Sequence, residues 1–363
     1  MAQLPILIVL AGGASSRMWP LREKSLLRFG TEPLLVSQLR RYESLGLQEA
    51  VIVANPGNLE DIKTLTAAIR SMNIRVVVQA DAKGMGDALL QAPAQASEDP
   101  ADLGPMDLVV LAVKGPALGE VARRISPLLG PDTVVLPAMN GVPWWFAQST
   151  PALAGQPLRS VDPDGSLGTL LPLPHVVGCV VHASTFTPEP GLVEQRMGQG
   201  LIIGEPAGGD SPRVQRLGAL LRGAGFDTTV STHIRQDIWY KLWGNMTMNP
   251  VSAITGASVD RIMADPLVLA FCSAAMREAA EIGARIGCEI AQSPEDRHAV
   301  TRKLGVFRTS MQNDVDAGRA IELDALVTVV REIAQRLQIA TPNIDALLGL
   351  TRLFARVRGL YPD

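Results

Sequence analysis

An unbroken apolar run, Pro5-Ile6-Leu7-Ile8-Val9-Leu10-Ala11, ends directly in Gly12-Gly13. A run that is short and apolar on both faces fits a strand covered from both sides, as in parallel sheets. The pattern recurs at Ala50-Val51-Ile52-Val53-Ala54 and at Arg75-Val76-Val77-Val78-Gln79. Between these runs lie helical patterns, one through Leu34-Leu35-Val36 to Leu45 and one from Leu59 to Met72, with Asn58 placed to cap the second. Alternation of this kind predicts an α/β fold built on a doubly wound sheet.

The alternation continues. Asp107 to Val113 reads as a strand, Lys114-Gly115-Pro116 opens a helix through Ile125, and Thr133 to Leu136 is a strand running into Met139-Asn140-Gly141. Functional loops of open α/β sheets lie at the carboxyl ends of strands, where Lys114 and Asn140 both fall. Lys114 reads equally as a surface lysine at a helix start, and Asn140-Gly141 as a plain tight turn. Val176 to Phe186 and Leu201 to Gly204 read as strands closing the sheet edge, with Gly191 to Gln195 in the connection between them. Ser211-Pro212 starts a helix, and Asp227 to Val230 is a last short strand. Beyond His233 the pattern is helical, in segments from Ile234 to Met248, Pro266 to Gly287, Pro294 to Val306 and Glu322 to Leu337. The expected division is a Rossmann-like α/β domain over 1–232 and an all-helical domain over 233–363.

Composition narrows the partners. The 363 residues carry a net charge of −3 with no basic run, which argues against nucleic acid. Cys179, Cys272 and Cys288 are far apart, as expected of reduced thiols in a cytoplasmic protein rather than a disulfide framework or zinc site. His175, His182, His233 and His298 are scattered and give no metal pattern, and His182 reads as a strand residue. The first apolar run lacks the basic lead-in and cleavage region of a signal peptide, and no stretch is long enough to span a membrane.

The segment Gln236 to Pro250 has another character. On a helix, Ile238, Trp239, Leu242, Trp243 and Met246 share one broad apolar stripe, and Lys241, Asn245 and Asn249 fall beside it at four-residue steps. The lysine is either a snorkelling edge residue or the charged group of a polar site. Asn249 precedes Pro250, and this pairing predicts that the helix kinks or ends there.

Two resemblances to known families follow. The loop Gly12-Gly13-Ala14-Ser15-Ser16-Arg17-Met18-Trp19-Pro20-Leu21-Arg22-Glu23-Lys24 resembles the signature loop of sugar-phosphate nucleotidyltransferases, and Gly84-Met85-Gly86-Asp87-Ala88 resembles their second nucleotide loop. The likeness covers about residues 4–92. It implies that Gly12, Gly13, Arg17 and Lys24 hold a nucleoside triphosphate. That family places an acidic residue at the end of the next strand to hold Mg²⁺. This chain has Lys114 there, which counts against nucleotidyl transfer.

From about residue 98 onward the chain resembles the ketopantoate reductase family. The residues that carry this are Asp107 to Lys114, Asn140-Gly141, Lys241-Leu242-x-x-Asn245-x-x-x-Asn249-Pro250, and Ser310-Met311-x-x-Asp314 with Glu322 beyond. The resemblance implies NADPH-dependent reduction of 2-dehydropantoate to pantoate in the cytoplasm, and it allows a homodimer. Lys241 would be the general acid that stabilises the growing alkoxide. Glu322 would accept from the substrate hydroxyl or position the lysine. Asn245, Asn249 and Ser310 would hold the substrate, and Lys114 and Asn140 would border the nicotinamide and ribose. Ser310 also reads as a helix N-cap and Glu322 as an exposed acid at a helix start. The family's opening Gly-x-Gly-x-x-Gly is missing, so the chain reads as a hybrid with a seam between about 90 and 100. The alternative function is nucleotide binding without reduction.

Overall fold

The computed structural model describes residues 7–10, 28–29, 32–44, 49–54, 58–67, 69–78, 97–189 and 192–362. The chain divides into two compact units. One comprises Met1–Glu98 and Ser184–Met197, the other Asp99–Ala183 and Gly198–Asp363.

In the first unit, β1 (Leu7–Leu10), β4 (Glu49–Ala54) and β5 (Asn73–Val78) form a parallel sheet in the order β1-β4-β5. A short antiparallel pair, β2 (Arg28–Phe29) and β3 (Glu32–Pro33), precedes helix α1 (Leu34–Ser44). Leu35, Leu39, Ile52 and Ile62 are fully buried in this unit's core. The second helix, α2, covers Leu59–Thr66 and stops short of the expected Met72. In its last turn the buried Thr66 hydroxyl donates back to Ile62 O at 2.8 Å, a bond that competes with the helical ladder. Asn58 occupies the N-cap position without a side-chain capping bond.

In the second unit, β6 (Met106–Leu111) and β7 (Leu129–Pro137) run parallel, with Leu111 opposite Pro137, so their carboxyl ends lie side by side. Helix α3 (Gly115–Arg124) follows β6. A long connection with only short helical turns joins β7 to β8 (Gly178–Glu189), whose residues from Ser184 onward count with the first unit. β9 is Leu192–Gly204, counted with the first unit up to Met197, so Leu192 to Gln195, expected in a connection, belong to a strand. The third sheet has the order β10-β9-β8, with β10 (Asp227–Val230) parallel to β9. Helix α4 (Pro212–Gly223) begins as expected, with Ser211 Oγ accepting from Val214 N.

The remaining helices are α5 (Ile234–Thr255), α6 (Val259–Ala264), α7 (Pro266–Arg285), α8 (Pro294–Arg302), α9 (Ser310–Asp316), α10 (Val329–Arg336) and α11 (Pro342–Val357). A π-helical turn, Asp324–Thr328, leads into α10. Helix α5 does not end at Asn249-Pro250. Both residues are buried, and that packing carries the helix past the proline to Gly256, a left-handed cap whose N–H donates to Ser252 O at 2.9 Å. Two tryptophans pin α5 to α7: Trp239 Nε1 donates to Ala279 O at 3.2 Å and Trp243 Nε1 to Met276 O at 2.6 Å. A Cβ on Gly283 would overlap Trp239 Nε1 and lie 2.7 Å from Cys288 O, so only glycine lets α7 approach this closely.

Candidate active site

The site lies in the second unit, where the loops after β6 and β7 meet α5 and the π-helical turn. Gly141 carries the chain away from β7 at φ +83°, and the N–H of Val142 donates to Ala325 O at 2.9 Å. This contact ties the β7 loop to the π turn. Glu322, just ahead of that turn, accepts from Gly115 N at 3.2 Å through Oε1, so the start of α3 is held to the same place. Lys114 Nζ lies 2.5 Å from Asp314 Oδ2 as an ion pair whose geometry is not that of a hydrogen bond. Arg319 Nε donates to the other carboxylate oxygen, Oδ1, at 3.0 Å.

Lys241 points from α5 at the β7 loop. Its ammonium donates to Asn140 Oδ1 at 2.7 Å and to Val181 O at 2.5 Å. An ammonium has three N–H groups, so two are committed to fixed acceptors and one is left for a ligand. Burial lowers the Lys241 pKa to about 8, against the opposing pull of Cys179 and Glu322. Burial also raises the Glu322 carboxyl, opposed first by the Gly115 N–H and then by Lys114. A recess at Lys241 is lined by Asn140, Cys179, Ile238 and, one helical step on, Asn245. Asn140, Cys179 and Ile238 also line a larger cavity of about 470 Å³, which Gly115 and Glu322 border.

The structure therefore brings Asn140, Lys241, Asn245 and Glu322 to the two adjoining cavities, while Lys114, paired to Asp314 directly ahead of Gly115, lines neither. Asn249 is buried in α5 and Ser310 is exposed as the first residue of α9, and neither lines these two cavities. Thr309 caps α9 by accepting from Gln312 N at 3.2 Å, and its hydroxyl is 2.6 Å from Ser252 Oγ. Gly12, Gly13, Arg17, Lys24 and Gly84 to Ala88 lie outside the described residues. Among the described residues no His, Cys, Asp or Glu cluster could hold a metal ion, and no helix is long and apolar enough to cross a membrane. Sequence reasoning missed Val181, which acts through its backbone oxygen and leaves no side-chain signal. It also missed Asp314 as the partner of Lys114, although Asp314 stood in a quoted motif.

Comparison with known proteins shows which families the chain is similar to. Residues 233–355 match the family described as the C-terminal part of ketopantoate reductase, PanE/ApbA. Residues 7–166 match the MobA-like NTP transferase domain, a likeness that runs well past residue 92. A 2-dehydropantoate 2-reductase from Mesorhizobium japonicum is 35% identical over 317 residues, 87% of this chain and 93% of that one. That alignment is longer than the stretch 98–363, so the reductase likeness reaches further toward the N-terminus. A crystal structure from Ralstonia solanacearum MolK2, assigned as a ketopantoate reductase, is 43% identical with a TM-score of 0.72, covering 99% of this chain and 100% of that one. D-Mandelate dehydrogenase bound to NADH and anilino(oxo)acetate shares the fold at 16% identity and a TM-score of 0.61, with 98% of this chain and 99% of that one covered.

Fold and relatives are those of a ketopantoate reductase-like oxidoreductase, with a Rossmann-type α/β part and a helical part that carries Lys241. Its N-terminal stretch is nucleotidyltransferase-like. The chain belongs to the ketopantoate reductase (2-dehydropantoate 2-reductase) family.

Proposed function

We propose that the chain reduces a 2-keto acid with NADPH, 2-dehydropantoate being the first substrate to test, and that Lys241 is the general acid. The observation that carries this is the Lys241 ammonium, fixed by Asn140 Oδ1 and Val181 O beside a cavity and with its pKa lowered to about 8. An acid whose pKa lies near the working pH is close to its most effective setting. The residues present fit a nicotinamide. The cavity borders the carboxyl ends of β6 and β7, with Lys114, ion-paired to Asp314, directly ahead of the lining Gly115. Lys114 and Asn140 would hold the nicotinamide-ribose end, and a bound nicotinamide supplies the hydride that reduces the keto carbon. Lys241 then delivers its free proton to the former keto oxygen. Asn245 would orient the substrate by neutral donors, with Asn249 and Ser310 assigned to its far end by family likeness alone. Glu322 would take the substrate hydroxyl.

The test is NADPH oxidation with ketopantoate. Turnover is expected, and Lys241→Ala should lower it by about 10²–10⁴-fold. Undiminished turnover in the variant would sink the assignment. The match of residues 7–166 to an NTP transferase domain favours a second reading, a protein that binds a nucleoside triphosphate through Gly12, Gly13, Arg17 and Lys24 and reduces nothing. Calorimetric titration separates the two: triphosphate binding without NADPH binding supports the second.

A further inference from the structure

Beyond α11 the chain turns back onto the candidate active site. The helix closes in a left-handed turn at Gly359, φ +67°, where Gly359 N donates to Arg356 O at 2.9 Å and Leu360 N to Ala355 O at 2.8 Å. This pair of bonds is a common way for a helix to end on glycine, and it fixes the direction in which residues 360–362 leave. Arg356 Nε then donates to Pro362 O at 2.8 Å, and its guanidinium lies 5.9 Å from the centre of the Tyr361 ring. Leu360, Tyr361 and Pro362 line the cavity of about 470 Å³ together with Asn140 and Glu322.

This segment grips the chain on both sides of Glu322. Ahead of it, Ile321 N donates to Leu360 O at 3.0 Å. Beyond it, the Tyr361 hydroxyl donates to Asp324 Oδ1 at 2.6 Å. Burial, and then Asp324, push the Tyr361 pKa up to about 12, so the hydroxyl keeps its proton and stays a donor. The Glu322 carboxylate accepts only a long bond, 3.2 Å from Gly115 N, so its place depends on the backbone that carries it. Ala325, on the same stretch, accepts from Val142 N and ties it to the loop that bears Asn140.

We propose that Tyr361 is a positioning residue of the reductase: through Asp324 it holds Glu322 in place beside Lys241, while its own segment walls the cavity. The proposal rests on the reductase reading. The other groups that face Lys241 and Glu322 are Cys179 and His182 on β8, Lys114 after β6 and Asp314 on α9. Burial pushes the Cys179 thiol up to about 12 and lowers His182, so both are neutral where Lys241 titrates, at about 8. Lys114 and Asp314 are paired with each other. Glu322 is then the charge whose displacement Lys241 registers. Moved away, it no longer supports the ammonium, and the lysine gives up its proton at lower pH.

The experiment follows the falling limb of the pH profile of kcat/KM for ketopantoate reduction in Tyr361→Phe, which keeps the ring and loses the donor. The limb should move to lower pH by up to about one unit, the worth of one hydrogen bond. Asp324→Ala removes the same bond from its other side and should move the limb in the same direction. Added to Glu322→Gln, Tyr361→Phe should move the limb no further, a non-additivity that a merely structural bond would not show. An unmoved limb in either single variant, or a further shift on top of Glu322→Gln, overturns the assignment. If ketopantoate is not reduced, the reductase reading fails by itself. The Lys241 ammonium is then titrated directly by NMR in protein labelled with nitrogen-15 lysine, its signal being the one missing from Lys241→Ala. A midpoint lower in Tyr361→Phe than in the native chain upholds the clamp on Glu322, and equal midpoints overturn it.

Discussion

At the scale of single residues, Lys241 is set by three neighbours that do different things. Burial weakens its hold on the proton, Asn140 and Val181 fix where that proton points, and Glu322 opposes the shift. As the acid of a reduction it must be protonated. The kcat/KM for keto acid reduction should therefore be level at lower pH and fall as pH rises through about 8. Glu322→Gln removes a charge that holds the Lys241 pKa up, so the falling limb should move to lower pH, and a pH–rate profile of the variant reads the sign directly. A limb that stays in place would show that the two groups do not interact. Gly141 is equally constrained. Its φ is +83°, and an added Cβ would overlap Ala325 O and lie 2.7 Å from Ala325 C. Gly141→Ala should cost about 1–3 kcal/mol in denaturant unfolding and displace Asn140 from Lys241, lowering turnover more than it lowers stability. Lysine and asparagine were legible in sequence because their spacing and order matched a family. Their mutual bond was not, because 101 residues separate them.

At the scale of elements, the strands that could be read were those whose apolar runs are short and bounded, such as β1, β4 and β5. The β8–β9 pair was read too short because Leu192 to Gln195 looks like a turn out of context, and pairing between strands is a non-local property. Helix α5 was cut too early for the opposite reason. The local rule about proline was sound, and burial on all sides of Asn249 and Pro250 outweighed it. Helix α11 lay beyond the last helical segment recognised, although Pro342 marks its first turn. The α5–α7 contact gives a prediction at this scale. Gly283→Ala places a methyl against Trp239 and the Cys288 carbonyl. It should destabilise the second unit by about 1–3 kcal/mol, read as a lower midpoint in urea with the slope unchanged. A neutral result would mean that α7 can shift without cost.

At the scale of the whole molecule, two likenesses overlap along one chain, an NTP transferase domain over 7–166 and a reductase over most of its length. If the N-terminal loop serves the nicotinamide cofactor, Arg17→Ala with Lys24→Ala should weaken NADPH binding by about tenfold or more in a calorimetric titration, since each removes a phosphate-seeking charge. Unchanged affinity would assign the loop another role. The first compact unit is assembled from two separate stretches, and its last residue is Met197. On the ribosome, residues 99–183 therefore emerge before the earlier unit has all its parts. The N-terminal stretch must wait, incomplete, while the parallel pair β6–β7 and the loop bearing Asn140 are already being translated. Limited proteolysis of a nascent chain stalled at residue 98, set against one stalled beyond Met197, measures what the second stretch contributes to the first unit.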